Sequence, residues 1–159
     1  MTTESTRAAE RLELRRELRI AARPETVWGF LVDEEKQLRW MGGAATIDPR
    51  PGGVVRIEVV SGHVVSGEVL EADPPRRLVY TWGWEAGSDD AKLVPPGSTT
   101  VEFELVPDGN GTLLRFAHRD LPTEETVERH AHGWDHYLPR LQVAGAGGDP
   151  GRDEWLGEL

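Results

Sequence analysis

The sequence predicts an α+β fold: a curved antiparallel sheet wrapped round one long C-terminal helix, with two short helices after the first strand. Three observations lead there. Leu12, Leu14, Leu18 and Ile20 alternate with mostly charged residues, which marks a strand with one wet face. Between residues 44 and 120 the chain is a series of β-type runs broken by Pro, Gly, Asn and Asp. Then Val127, Ala131, Trp134, Leu138 and Leu141 recur at steps of three and four, the apolar stripe of one helix.

Each element has its own punctuation. Arg16 interrupts the first strand, where a bulge or pause is expected. Pro24 followed by Glu25 opens a helix carrying Val27, Trp28, Phe30 and Leu31, because proline suits a first turn and an acid suits its positive end. Asp33-Glu34-Glu35 begins a second helix reaching Leu38, Trp40 and Met41, stopped by Gly42-Gly43. The strands are expected at 44–48, 54–61, 63–72, 77–85, 98–106 and 111–119. Ser61-Gly62 and Asp108-Gly-Asn-Gly111 read as hairpin turns, since these residues tolerate positive φ. Residues 86–97 form a longer loop, of the kind that is either disordered or functional. Thr123 caps the last helix, and Pro139 within it predicts a bend, because the carbonyl of Asp135 loses its helical partner. Residues 1–10 read as a flexible leader, 11–144 as one domain, and 145–159 as a Gly-rich, flexible tail with an apolar patch at Trp155, Leu156 and Leu159. That patch has the alternative of docking on a neighbour or over a pocket mouth.

Bulk composition narrows the function. A net charge of −10 disfavours nucleic acid and anionic membranes as partners. With no cysteine there is no disulfide, thiolate metal site or cysteine nucleophile, which fits a cytoplasmic protein. No apolar run approaches the roughly 18 residues of a membrane span, and MTTESTRAAE lacks the apolar stretch of a signal peptide. There is no Gly-x-Ser-x-Gly elbow, and neither Gly pair is followed by the Lys-Ser/Thr of a phosphate loop.

A series of pieces, taken in order, resembles a known family: Pro24-Glu-Thr-Val-Trp28, Leu38-Arg-Trp40, Asp48-Pro-Arg-Pro-Gly-Gly53, Gly67-Glu-Val-Leu-Glu-Ala-Asp-Pro-Pro75, Leu78-Val-Tyr-Thr-Trp82, Gly111-Thr112 with His118, and Gly133-Trp134 with Leu138 and Leu141. Over roughly residues 14–142 the chain is similar to the activator-of-heat-shock-chaperone-ATPase homologues of the START-like (SRPBCC) superfamily, single-domain bacterial type. The resemblance implies the helix-grip (START-like, Bet v 1-like) fold, a hydrophobic cavity between sheet and helix, and an association with stress response. Superfamily members include polyketide cyclases, lipid carriers, hormone receptors and chaperone activators, so fold alone is a weak guide to activity. The eukaryotic activators carry a further N-terminal domain that makes much of the chaperone contact, whereas about ten residues precede the first strand here.

Alternation gives the candidate site. Tyr80, Trp82 and Trp84 share one strand face with Leu78, Phe103 lies with Val101 and Leu105, and Phe116 and His118 lie with Leu114. Under Trp134, Tyr137 and Leu138 of the helix, with Trp40 from the second short helix, they form either a filled aromatic core or a ligand chamber. His118 stands out as an ionisable group on an apolar face. His132 and His136 lie four apart, but no third ligand follows at a metal-site spacing, and His130 and His136 fall off the stripe. Arg56, Glu58, Ser66 and Glu68 either anchor a ligand or form a solvated ladder; Val55, Ile57 and Val59 make the more apolar face.

The leading functional expectation is non-enzymatic binding of a small hydrophobic or aromatic molecule, with no cofactor and no metal, by a monomer or weak homodimer. The alternatives are a chaperone-associated interaction module and a polyketide cyclase/aromatase-like enzyme. For the latter, His118, Tyr80 or Glu68 would supply the acid–base group.

Overall fold

The computed structural model describes residues 11–87 and 89–156, so the expected leader and Leu159 lie outside the described residues. Seven antiparallel strands form one sheet: β1 (Leu12–Ile20), β2 (Ala44–Ile47), β3 (Val54–Val60), β4 (His63–Asp73), β5 (Arg77–Trp82), β6 (Thr99–Asp108) and β7 (Gly111–Leu121). Their order is β1-β7-β6-β5-β4-β3-β2. Successive strands from β2 to β7 are thus hairpin neighbours, while β1 pairs with β7 at the far edge. Helices α1 (Pro24–Val32) and α2 (Glu34–Gln37) carry the chain from that edge to the other, and α3 (Glu124–Gly145) lies across the buried face. This is the helix-grip arrangement.

Local chemistry explains the boundaries. Pro24 occupies the first turn of α1, and the Asp33 side chain accepts from Lys36 N, so the second helix starts where the first stops. That helix is shorter than expected, ending at Gln37. Trp40 is nevertheless locked in place by its indole N–H, which donates to Phe30 O at 2.8 Å. The register shifts in β1 between Leu12 and Leu14 rather than at Arg16. Arg16 stays on the helix-facing side because its guanidinium reaches Asp135 of α3, at 2.7 and 3.1 Å.

Two further register shifts, at Glu58/Val60 in β3 and Val69/Glu71 in β4, lie in the half of the sheet away from β1. Extra residues of this kind bend a strand and steepen its twist. β5 ends at Trp82, earlier than expected, because Gly83 passes under the following loop: a Cβ there would sit 1.6 Å from Pro95 O. The 86–97 loop is tied down by a 3-10 turn at Asp89–Lys92, by fully buried Val94, and by Trp84 N donating to Val94 O at 2.7 Å.

The capping box on α3 pairs Thr123 with Thr126, and Glu124 and Glu125 fill the first turn. The helix continues through Pro139 to Gly145. Its buried face differs from the expected stripe. Val127 and Ala131 are half-buried, while Thr126, His130 and Tyr137 join Trp134, Leu138 and Leu141 inside. The period is as expected and the phase is rotated, because Thr126 and His130 satisfy their polar atoms internally: Thr126 Oγ1 donates to Thr123 O at 2.8 Å, and His130 Nδ1 lies 2.8 Å from Thr126 O.

The core contains Val55, Ile57 and Val59 of β3. Arg56 points outward to Glu85, at 2.8 and 3.0 Å, and Glu58 accepts from Gly62 N. These polar groups belong to the solvated face. No helix among the described residues is long and apolar enough to cross a membrane.

Candidate functional site

Two tryptophan–histidine pairs organise the space between β5, β7 and α3. The Trp134 indole donates to His118 Nδ1 at 3.0 Å, which leaves Nε2 to carry the proton and donate to Thr99 Oγ1 at 2.8 Å. Thr99 Oγ1 in turn donates to Trp82 O at 2.7 Å. One turn earlier on α3, His130 Nε2 accepts from the Trp84 indole at 3.1 Å, so its Nδ1 carries the proton toward Thr126 O. Both imidazoles are therefore neutral, with both ring nitrogens occupied. Burial pushes His118 well below the ordinary 6.5, and neighbouring His130 adds to the shift. Burial also lowers His130, against the opposing pull of its bond to Thr126 O. The two rings meet edge to face, with centroids 4.9 Å apart.

Beside these pairs lies a cavity of about 150 Å³. Trp82 and Trp84 border it from the sheet, Trp134 and Tyr137 from the helix, and Met41, Val59 and Val60 from the bent end. Trp82 sits 5.1 Å from Trp134 and 5.8 Å from Trp84, the latter edge to face. At the rim Asp90 of the 86–97 loop pairs with Arg129 at 3.2 Å, beside exposed His132. Four other depressions among the described residues are surface grooves lined largely by charged side chains and turn residues.

The tail completes the wall. Residues 149–156 fold back as a strap: Arg140 donates to Pro150 O and Gly151 O at 3.1 and 2.9 Å, and buried Asp153 lies 2.8 Å from His136 Nε2. Trp155 N donates to the same Asp153 oxygen at 3.0 Å, and its ring stacks on His136, centroids 3.7 Å apart and 8° from parallel. Trp155 thereby borders the cavity. The expectation of a flexible tail fails here because Asp153 and Trp155 have specific partners on α3. Tyr137, whose hydroxyl donates to Val59 O at 3.3 Å, is raised above the ordinary phenol range by burial, with Asp153 adding to the shift.

Of the ten side chains expected at a site, Trp82, Trp84, Trp134 and Tyr137 border the cavity. Tyr80, Phe103, Phe116 and Leu138 are packed into the core, Phe116 against Trp134 at 4.5 Å. His118 sits behind Trp134, held by its two hydrogen bonds, and Trp40 is bound to Phe30 of α1. None of these six lines the opening. His130, expected off the stripe, is 5% exposed and inside. Its position four residues before Trp134 was the available signal, since that spacing shares a helix face. Among the described residues no cluster of three His, Cys, Asp or Glu could hold a metal ion.

A curved antiparallel sheet closed on one long helix, with an aromatic cavity at one end, defines a START-like helix-grip protein. Residues 21–145 match the family model described as activator of Hsp90 ATPase homolog 1-like protein, and the chain belongs to that family. It is similar to an AHSA1-like protein from Rhizobium etli, with 43% identity over 94% of this chain and 91% of that one, at a TM-score of 0.72. CalU16 from Micromonospora echinospora is 28% identical over 89% of this chain and 70% of its own, at 0.71. DynU16, from the dynemicin biosynthetic locus, shares the fold at 21% identity and a TM-score of 0.74; the match covers 90% of this chain and half of DynU16. A comparison with curated proteins found no match.

Proposed function

We propose that the protein binds a small hydrophobic or aromatic molecule in the cavity between the sheet and α3, without converting it chemically. The observation that carries this reading is the aromatic lining: Trp82, Trp84, Trp134 and Tyr137 border a half-open cavity of about 150 Å³ that the surrounding core leaves unfilled. The groups a cyclase-like reaction would call on support binding over catalysis. His118 has both nitrogens engaged and is held neutral, burial raises the Tyr80 hydroxyl, and Glu68 is exposed on the outer face. A proton donor or acceptor must reach the substrate to act on it.

Native mass spectrometry of protein purified from its own host tests the reading. The expected result is a reproducible small adduct that disappears in Val60→Phe, a substitution that fills the cavity from its bent end. A clean apo mass, with no binding of small aromatics on titration, would overturn the reading and favour an interaction module of the chaperone-associated kind.

A further inference from the structure

The mouth of the half-open cavity differs in chemistry from its interior. Inside, the polar hydrogens of three wall residues are engaged by the protein: Trp84 donates to His130, Trp134 to His118, and the Tyr137 hydroxyl to Val59 O. His130 also borders the cavity, neutral and with both ring nitrogens occupied. A charged group carried that deep would lose its hydration and find no counter-ion. At the mouth, two side chains of α3 are still available. Arg129 and His132 lie three residues apart, a spacing that makes them neighbours on a helix surface, and both are exposed and border the cavity. Arg129 meets Asp90 through Nε, at 3.2 Å, and its two terminal amino groups have no partner among the described residues. His132 lies against Trp155, ring centroids 5.0 Å apart, and its ring nitrogens have no hydrogen-bond partner among the described residues. The Arg129 side chain is 47% exposed and that of Asp90 17%, so the cation is the member of the pair that a guest meets.

We propose, resting on the ligand-binding reading above, that the guest is an amphipathic organic acid. Its carbon skeleton lies against Trp84, Trp134 and Tyr137, and its carboxylate stays at the mouth on the amino groups of Arg129, with His132 as a second donor. A guanidinium presents its donors as a planar fork that matches the two oxygens of a carboxylate. Asp90 occupies the Nε side, which leaves the amino end of the fork to the guest. Asp90 also weakens the site, because two carboxylates then share one guanidinium. The net charge of −10 opposes an anion at long range, but salt screens such fields beyond about 8 Å, and the local donors decide.

The test compares three probes with one skeleton and different head groups: phenylpropanoate, phenylpropanamide and phenylpropylammonium. Affinities near neutral pH come from titration calorimetry. The expected order is acid, amide, ammonium, with the acid about fivefold tighter than the amide, the scale of one exposed ionic contact. In Arg129→Gln the acid falls to parity with the amide, whereas a merely structural role for Arg129 would weaken all three probes together. In Asp90→Asn, which removes the competing carboxylate, the advantage of the acid widens. If Arg129→Gln fails to fold, the wild-type order and the Asp90→Asn change decide the question. Equal binding of acid and amide, or an advantage undiminished in Arg129→Gln, overturns the head-group assignment and leaves the cavity function standing. Binding by none of the three overturns both.

Discussion

Burial of His118 and His130 as neutral imidazoles makes stability sensitive to mild acid. Above the ordinary histidine value of 6.5 both rings are neutral whether the chain is folded or not, so neither shifts the balance. As pH falls below that value the unfolded chain takes up protons that the folded protein resists. Stability is therefore full above 6.5 and is lost on acidification until the depressed folded values are reached. In the limit where the folded protein takes up no proton, moving from about pH 7.5 to about pH 5.5 costs roughly 1.4 kcal/mol per histidine, and about 2.8 kcal/mol for the pair. In a chain of this length that lowers the melting temperature by about 3–6 °C per histidine. The carboxylates held low by arginine partners, Glu85 and Asp135, lose their contribution only further into acid, so this window isolates the histidines. Urea midpoints at the two pH values, read for wild type, His118→Gln and His130→Gln, provide the assay. Each substitution costs stability outright, but the measured quantity is the difference between the two pH values, and each variant is expected to lose about half of it. A wild-type difference below about 0.5 kcal/mol, or variants that keep the full slope, would refute the neutral, doubly bonded assignment.

Glycine positions give an opposed pair of outcomes. Gly133 lies inside α3 with nothing within 4 Å of an added Cβ, so Gly133→Ala is expected to stabilise by about 0.5–1 kcal/mol; Gly83→Ala meets Pro95 O and is expected to cost at least about 2 kcal/mol in the same urea titration. Asp153→Ala removes the partner of both His136 and Trp155 N, so trypsin should cut at Arg152 about tenfold faster while the melting temperature stays within about 2 °C. An unchanged cutting rate would show that the strap is held elsewhere. Asp135→Asn breaks a half-exposed pair with Arg16 and should cost only about 0.2–1 kcal/mol, an effect that fades in high salt.

The sheet was legible because its signal is short-range. Alternation and turn residues place every strand to within a few positions, and the largest error, the end of β5, came from Gly83 packing against a loop distant in sequence. The helix was legible in period but not in phase. A hydrophobicity pattern scores Val127 and Ala131 as inward and His130 as outward, since it does not see that His130 would find Trp84 and Thr126 O. Four of the ten expected side chains border the cavity for a related reason. Alternation tells which face of a strand is buried and is silent on where along that face packing fails. Nothing local distinguishes Trp155 from a solvated aromatic in a Gly-rich segment; its stacking on His136 depends on the strap's path.

Why packing fails at this end follows from how the two layers are joined. In the middle of the sheet, α3 settles on Phe103 and Phe116, and Trp134 packs onto them at 6.3 and 4.5 Å. Side chains there slide until voids close, because dispersion favours contact and has no preferred direction. Toward its N-terminal half the helix meets the sheet through hydrogen bonds, Trp84 to His130 and Trp134 to His118, and these have a fixed length and direction. They act as struts. The sheet bends at the Glu58/Val60 shift, and the struts keep α3 from following it inward. Two of the rings that bound the space left over, Trp84 and Trp134, cannot move without breaking a buried or half-buried polar bond. A cavity held open by polar struts keeps its shape when empty, which is what a preorganised binding site needs and what a core short of volume would lack.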